Sequence, residues 1–195
     1  MTFYTPTYKR PTLLHECEAS VWMQALPDGR PCKDWQHLVI PDEVGIGIAG
    51  MYAEIPQHLG RIDGEYVYVL QDDDRLAGPD VLSRLRTFAR KHRNPLGNLP
   101  PVIMVRNRKL GMVLPLLWEQ KPMLGAVDLG SYVTRADVFR KHAGRFGKRY
   151  EGDFDFIAYL WRHYPFAWCD VLFAEAQTVG LGRSEADLRL QGELR

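Results

Sequence analysis

The stretch of sequence that decides the fold is Glu65-Tyr66-Val67-Tyr68-Val69-Leu70-Gln71-Asp72-Asp73-Asp74-Arg75-Leu76. Residues 66–70 form a short continuous apolar run, which is typical of a strand buried on both faces. Three carboxylates follow at the carboxyl end of that strand, where open α/β sheets bind their ligands. The sequence therefore predicts a buried strand that delivers Asp72, Asp73 and Asp74 to a ligand site.

The three adjacent carboxylates allow two interpretations. They repel one another, so holding them together is costly unless a cation offsets their charge. Carboxylate oxygens suit Mg²⁺ or Mn²⁺, and such ions usually bind substrate phosphates as well. An acidic surface turn, assisted by Gly78 and Pro79, explains the same residues without a ligand. Both interpretations stay open on this stretch alone.

Length and composition indicate one soluble globular domain. The chain has 195 residues, of which 46% are hydrophobic and 25% charged, as is usual for such domains. No apolar run approaches the ~20 residues that span a bilayer, and the first residues lack the layout of a signal peptide. Cys17, Cys32 and Cys169 show no metal or disulfide spacing, so we expect free thiols and a cytoplasmic location.

Charge is unevenly distributed along the chain. Residues 1–80 carry 6 Lys and Arg against 13 Asp and Glu, whereas residues 81–127 carry 9 against 1. An acidic first part that holds a cation and a basic middle that meets an anion are consistent with this pattern. A solvated basic helix face is the alternative. The basic residues concerned are Arg84, Arg86, Arg90, Lys91, Arg93, Arg106, Arg108 and Lys109.

Strands and helices alternate along the sequence, which predicts an α/β layered domain. Apolar runs predict strands at residues 3–7, 37–40, 66–70, 102–105 and 126–133. Helical periodicity predicts helices at residues 11–26, 48–59, 136–146 and 153–164 and one that begins at Pro79, with Pro56 limiting the second. Residues 111–124 are expected to be irregular.

Residues 5–14, 64–74, 130–139 and 152–156 form a succession of four short motifs. Together they resemble the motifs of nucleotide-sugar glycosyltransferases with the GT-A fold, particularly the family 2 type. Residues 5–14 are similar to the opening P-T-Y-N-R-P-x-x-L, and residues 64–74 to the strand that carries the D-x-D metal motif. Residues 130–139 resemble G-S-x-x-x-R-R-E-x-F, and residues 152–156 resemble E-D-x-D-L, which supplies the catalytic base. The four occur in the family's order and cover nearly the whole chain.

The resemblance implies a fold and a division of the chain. It implies a GT-A-like, Rossmann-like three-layer sandwich with a mostly parallel central sheet, formed by residues 1–195 as a single domain. About residues 1–75 would bind the nucleotide, and about residues 76–195 would bind the acceptor and carry the catalysis. The chain departs from the family at Gly152, where a Glu is usual, and at residues 178–182, which contain no His to complete a metal shell.

The resemblance also implies the site residues. Asp153 would be the catalytic base, because a carboxylate is favoured at the start of a helix and is held there in a defined direction; a plain helix cap is the alternative. Asp72 and Asp74 would contact the metal. The donor would be bound by Thr5, Tyr8, Asp42, Arg61, Asp72 and Asp73, with Asp42 accepting the N–H of a uracil ring. Trp118 is expected to be exposed in the acceptor site.

The predicted function is that of a metal-dependent, inverting glycosyltransferase of the hexosyltransferase type. It would use Mn²⁺ or Mg²⁺ and move a sugar from a nucleoside diphosphate, UDP being favoured, to a hydroxyl acceptor. The basic middle segment keeps an anionic acceptor open, such as a nucleic acid with a hydroxylated base. One alternative is a sugar-phosphate nucleotidyltransferase, although residues 5–8 lack the glycine of its loop. Another is a non-catalytic nucleotide-binding domain of the same fold.

Overall fold

The computed structural model describes residues 1–178, which form a sheet of eight strands flanked by helices. The strands are β1 (Thr2–Thr7), β2 (Gln36–Pro41), β3 (Tyr66–Val69), β4 (Asp74–Leu76), β5 (Val102–Lys109), β6 (Met112–Leu114), β7 (Tyr132–Arg135) and β8 (Phe166–Ala176). The α-helices are α1 (Pro11–Trp22), α2 (Gly47–Glu54), α3 (Val81–Lys91), α4 (Ala136–His142) and α5 (Gly152–His163). Short 3-10 helices cover Ile55–Arg61, Leu129–Ser131 and Ala143–Phe146.

The sheet is mixed, so the prediction of a mostly parallel sheet is wrong. Its strand order is β2-β1-β3-β7-β5-β8-β4, with β6 paired to β5. Strand β1 runs parallel to β2 and β3, and β5 runs parallel to β8. Strand β7 is antiparallel to both β3 and β5. Strand β4 is antiparallel to β8, and β6 is antiparallel to β5. An apolar run indicates that a strand is buried but does not record the direction of its neighbours.

Two hydrophobic cores lie on opposite faces of this sheet. Strand β3 is buried along its whole length, as predicted, with Val67 and Val69 in one core and Tyr66 and Tyr68 in the other. Helices α2, α4 and α5 cover the first face, and α1 and α3 cover the second. This alternation follows from the period of two residues in a strand, and it brings the carboxyl ends of β1, β2 and β3 to one edge of the sheet.

Several predicted boundaries are wrong, and three strands were not predicted. Helix α1 ends at Trp22 rather than at residue 26, and the helix predicted over residues 48–59 changes to a 3-10 helix beyond Glu54, next to Pro56 as expected. Of the strand predicted over residues 126–133, only residues 132 and 133 are in a strand, as the first half of β7. Strands β4, β6 and β8 were missed; β6 lies in the segment expected to be irregular.

The β5–β6 pair shows why such strands are hard to predict. Lys109 pairs with Met112, so Leu110 and Gly111 form a two-residue turn, and both have positive φ. That turn geometry suits a tight antiparallel hairpin, yet a leucine at its first position is not a turn signal. In residues 1–178 no helix is both long and apolar enough to cross a membrane. Residues 179–182, which belong to the segment where the resembling family often has a metal-binding His, lie outside the described residues.

Candidate functional site

A cleft of about 550 Å³ opens at the carboxyl ends of β1, β2 and β3. Its walls come from the segments that follow these strands, from the β5–β6 hairpin and from the start of α5. Of the predicted site residues, the cleft brings together Tyr8, Asp42, Asp72, Asp73 and Asp153. Segments that are distant in the sequence therefore converge on one cavity, at the sheet edge where the acidic motif was expected.

The acidic motif is buried and forms an ion pair with Arg10. Asp72 and Asp73 are each only 3% exposed, which rules out an acidic surface turn. Arg10 Nη1 lies 2.7 Å from Asp72 Oδ1 and 3.7 Å from Asp73 Oδ2. Burial raises the pKa of Asp72 to about 6, although the Arg10 charge acts in the opposite direction. A buried cation thus offsets part of the repulsion between these carboxylates.

Asp74 lies outside the cleft wall, at the start of β4. It is fully buried, and neither of its carboxylate oxygens has a hydrogen-bond partner within residues 1–178. Burial raises its pKa, and the nearby charge of Lys109 opposes that rise. Lys109 lines the cleft and donates a hydrogen bond from Nζ to Gln71 Oε1 over 2.8 Å. Burial by itself lowers the pKa of Lys109, but the negative charges of Asp74 and Asp73 have the larger effect, and the pKa is raised.

The carboxylates fit a divalent cation of the kind that binds phosphates. In the described part of the chain, no group of three or more His, Cys, Asp or Glu residues is arranged to hold a metal ion by itself. Mg²⁺, however, is usually held by one or two carboxylates together with substrate phosphates and water. Asp72 lines the cleft and has a buried oxygen without a hydrogen-bond partner among the described residues, so it suits such an ion, whereas the buried oxygens of Asp74 lie outside the cleft wall.

Asp153 lies in the same cleft, at the second position of α5. The N-cap position of this helix is Glu151, so Asp153 is not the plain cap considered as an alternative. Its Oδ1 accepts a hydrogen bond from the backbone N–H of Phe154 at 2.7 Å. Burial raises the pKa of Asp153 to about 6. The hydrogen bond from the Phe154 N–H lowers this pKa, and the negative charge of Asp128 raises it. A carboxyl with this pKa can accept a proton near neutral pH.

The glycine that precedes Asp153 is required by packing. A Cβ on Gly152 would lie 2.2 Å from the carbonyl oxygen of Phe146 and 2.6 Å from Cδ2 of Tyr52. This contact explains why the chain has no Glu at this position, where the resembling family usually has one.

Gly152→Ala is therefore expected to lower the free energy of unfolding by about 1–3 kcal/mol, because the added methyl group overpacks the start of α5. Urea denaturation measures the change. Gly144→Ala is the control, since a Cβ there meets nothing within 4 Å. Equal stability of the two variants would contradict the packing explanation.

The loop after β2 holds Asp42 and Tyr8 at the cleft wall. Asp42 accepts hydrogen bonds from the backbone N–H groups of Val44, Gly45 and Ile46 at 2.7–3.0 Å. A carboxylate offers about four acceptor sites, so one remains for a ligand N–H. Gly45 has a φ of +80°, and a Cβ on it would lie 2.7 Å from Cζ of Tyr8, so the loop packs closely on that ring.

Thr5 and Arg61 do not line the cleft. Tyr4 and Pro6 line it, and because successive side chains of a strand alternate, Thr5 points to the opposite face. Its hydroxyl lies 2.8 Å from His37 Nε2. Arg61 is exposed, and its carbonyl accepts a bond from Gln36, which begins β2 at the far end from the cleft.

Trp118 is half-buried rather than exposed as expected. Its ring packs against Trp168, with ring centroids 5.1 Å apart, and the Arg106 guanidinium lies 3.8 Å from the ring centroid. Trp118 also lies outside the residues that line the cleft. The stacking role predicted for it in an acceptor site therefore has no geometric basis.

Arg10, Lys109 and Asp128 also line the cleft, and none of them was predicted to bind the donor or the metal or to act as the base. Arg10 lies within the opening motif, which was a usable signal, but its partner Asp72 is 62 residues away. Asp128 accepts hydrogen bonds from Asn107 Nδ2, at 2.8 Å, and from the Ser131 hydroxyl. It thereby caps the 3-10 helix Leu129–Ser131, and the D-x-x-S spacing was the signal for this cap.

Most of the basic middle segment lies away from the cleft, and Lys109 is the one of its nine Lys and Arg residues that lines it. Arg86, Arg90 and Arg93 line a second groove of about 600 Å³, together with residues at the start of β1 and β2. Strand β1 separates the two cavities: Met1 lines the groove, and Thr7 lines the cleft.

Comparison with known proteins shows the fold but no close relative. No protein-family model matches the chain, and no curated protein sequence matches it. Solved structures of S. aureus TarS 1–349 superpose with TM-scores of 0.60 alone, 0.62 in complex with UDP-GlcNAc and 0.61 in complex with UDP. Sequence identity is 15–16%, and 90% of this chain is covered. The chain spans 57–60% of those TarS chains. The likeness shows that the fold is GT-A-like, as predicted.

Proposed function

We propose that this protein is a nucleotide-sugar glycosyltransferase that moves a sugar from a UDP donor to a hydroxyl acceptor. One observation carries the proposal: the buried Asp72-Asp73 pair and Asp153, a carboxyl with a pKa of about 6, line the same cleft at the carboxyl edge of the sheet. TarS, which shares the fold, has been solved with UDP-GlcNAc and with UDP. The cavity volume lies in the range usual for small-molecule sites.

The donor half of the proposed site consists of Tyr8, Asp42, Asp72, Asp73 and Lys109. Tyr8 offers its ring to the base, and the remaining acceptor site of Asp42 suits the uracil N–H. Lys109 places an ammonium group at the cleft wall, where it can contact the diphosphate as a point charge. These side chains orient the donor with its sugar towards Asp153.

A divalent ion, Mn²⁺ or Mg²⁺, would stabilise the negative charge that develops on the departing diphosphate. Asp72 would hold it from the cleft wall, and Asp74, two residues further on at the start of β4, would offer a second buried carboxylate from behind that wall. Arg10 keeps Asp72 and Asp73 in place through its ion pairs.

Asp153 is the proposed general base, and transfer would proceed with inversion at the sugar carbon. Inverting transfer requires one base, positioned to take the proton of the acceptor hydroxyl as the new bond forms. The backbone bond from Phe154 orients the carboxylate.

The first test is thermal stability against a panel of nucleoside diphosphates with and without Mn²⁺. We expect UDP with Mn²⁺ to raise the melting temperature, since a ligand at a hundred times its Kd stabilises the folded state by ~2.7 kcal/mol. UDP without the metal should stabilise much less, because the diphosphate would meet carboxylates whose charge Arg10 offsets only in part. If no nucleotide shifts the melting temperature, the glycosyltransferase proposal fails.

The rate of transfer should rise with pH and level off above about pH 7. Asp153 must be ionised to act as a base, and its pKa is raised to about 6. The pKa of Asp153 is higher in the folded state than in the unfolded state. Ionisation of Asp153 therefore lowers the free energy of unfolding, and this loss develops as pH rises from about 4 to about 6. A profile of kcat/KM between pH 5 and 8 measures the effect on rate. A rate that is flat over this interval would contradict the assignment.

A further inference from the structure

We propose that the acceptor half of the cleft takes an uncharged hydroxyl compound that carries an apolar group, and does not take an anionic polymer. This inference rests on the proposed function, because it concerns the acceptor of that same site. It is carried by two observations: the charge of the cleft wall and the exposed apolar side chains that line the cleft.

The cleft wall is strongly acidic. Seven carboxylates line it against two basic side chains, Arg10 and Lys109. Both basic side chains are engaged: Arg10 pairs with Asp72 and Asp73, and Lys109 bonds Gln71 beside Asp74. The carboxylates are Asp42, Glu54, Asp72, Asp73, Asp128, Glu151 and Asp153.

This charge distribution discriminates between acceptors. A metal-bound UDP donor would use Asp72 and its neighbours, which leaves Glu151, Asp153 and Asp128 facing the acceptor half. A phosphate or carboxylate on the acceptor would be repelled by these groups as it approached the base. An uncharged hydroxyl avoids that repulsion.

Four apolar side chains line the cleft and are also exposed to solvent, and we call them the apolar rim: Ile46, Leu110, Leu124 and Tyr150. Leu110, Leu124 and Tyr150 are 73%, 63% and 60% exposed, and Ile46 is 36% exposed. The four come from separate segments: the loop after β2, the β5–β6 turn, the loop after β6 and the segment before α5. Apolar side chains that converge from separate segments on one cavity mark a surface that a ligand covers.

Three of the basic residues that favoured an anionic acceptor face a different part of the molecule. Arg86, Arg90 and Arg93 line the groove at the start of β1, whereas the cleft lies at the end of β1. Six residues of strand separate the two by ~17–20 Å. An anion bound in that groove would not bring a hydroxyl to Asp153.

The experiment measures binding of three probes to the protein loaded with UDP and Mn²⁺: hexyl β-D-glucopyranoside, methyl β-D-glucopyranoside and glucose 6-phosphate. We expect the hexyl compound to bind ~10-fold more tightly than the methyl compound, a gain that burial of about two methylene groups supplies. Glucose 6-phosphate should bind more weakly than the methyl compound at low salt, where repulsion is least screened.

Leu110→Ser and Leu124→Ser should each reduce hexyl binding severalfold towards that of the methyl compound, without changing UDP affinity. Leu96→Ser is the matched control, because Leu96 is 84% exposed and lies outside the cleft. Equal binding of the hexyl and methyl compounds, no binding of the hexyl compound, tighter binding of glucose 6-phosphate, or rim variants that behave like the control would each overturn the acceptor assignment. Absence of UDP binding would instead overturn the proposed function itself.

Discussion

Replacing Asp153 by Asn is expected to lower kcat for sugar transfer by about 10²- to 10⁴-fold, the usual contribution of a general base. The amide keeps the size of the side chain but cannot take the proton of the acceptor hydroxyl at neutral pH. UDP binding should be unchanged, since the donor half of the site contains no contact to Asp153. Transfer is measured as release of UDP from a UDP-sugar in the presence of acceptor, and binding is measured by calorimetry.

Asp155→Asn provides the control for this substitution. Asp155 lies on the same helix, two residues further on, pairs with Arg149 and does not line the cleft. Its loss should change transfer by less than about twofold, because an exposed pair contributes little. Full activity of the Asp153→Asn enzyme would remove the base assignment. Loss of UDP binding together with transfer would indicate a structural role for Asp153. Intact UDP binding without any transfer by the wild-type protein would favour the non-catalytic domain considered above.

Replacing Arg10 by Met is expected to have the largest effect on stability. Asp72 and Asp73 are buried, so removing their guanidinium partner leaves uncompensated carboxylates and should lower the free energy of unfolding by about 3–5 kcal/mol. Urea denaturation at pH 7.5 measures this change. Mn²⁺ should restore part of the lost stability if the carboxylates bind a divalent ion, because the ion replaces the missing positive charge.

Arg108→Met is the matched control for Arg10→Met. Arg108 also pairs with a carboxylate, Glu175, but its side chain is 52% exposed, and such pairs contribute about 0–1 kcal/mol. If Arg10→Met lowers the free energy of unfolding no more than Arg108→Met does, the buried ion pair does not stabilise the acidic motif. Arg10→Lys retains a positive charge, so its free energy of unfolding should lie between those of Arg10→Met and Arg108→Met.

Much of the cleft could be predicted from short stretches of sequence. The apolar run before Asp72 predicted a buried strand, and strand β3 is buried along its length. Asp72, Asp73, Asp42, Tyr8 and Asp153 each follow a strand or begin a helix, and the structure brings all five to one cavity. Whether a residue lies at the end of a strand or helix depends on nearby residues, so it can be predicted from a short stretch of sequence.

Other residues depended on contacts that no local pattern contains. Thr5 was assigned to the donor site because of its motif, yet the alternation of β1 turns it to the opposite face. Arg61 ends the 3-10 helix Ile55–Arg61, and the chain there has returned to Gln36 at the start of β2. The Arg10–Asp72 pair joins residues 62 positions apart, and the hydrogen bond from Asn107 to Asp128 joins residues 21 positions apart.

The sequence by itself determined that this is an α/β protein with an acidic motif at the carboxyl end of a buried strand and a second carboxylate at the start of a helix. Apolar runs of a few residues indicate buried strands, and apolar residues at helical spacing indicate helices. Only the tertiary structure decided that β7 runs antiparallel between β3 and β5, that the basic helix α3 faces another groove, and that exposed apolar side chains line the cleft. Strand direction and the approach of distant side chains depend on long-range hydrogen bonds and packing, which no single stretch of sequence specifies.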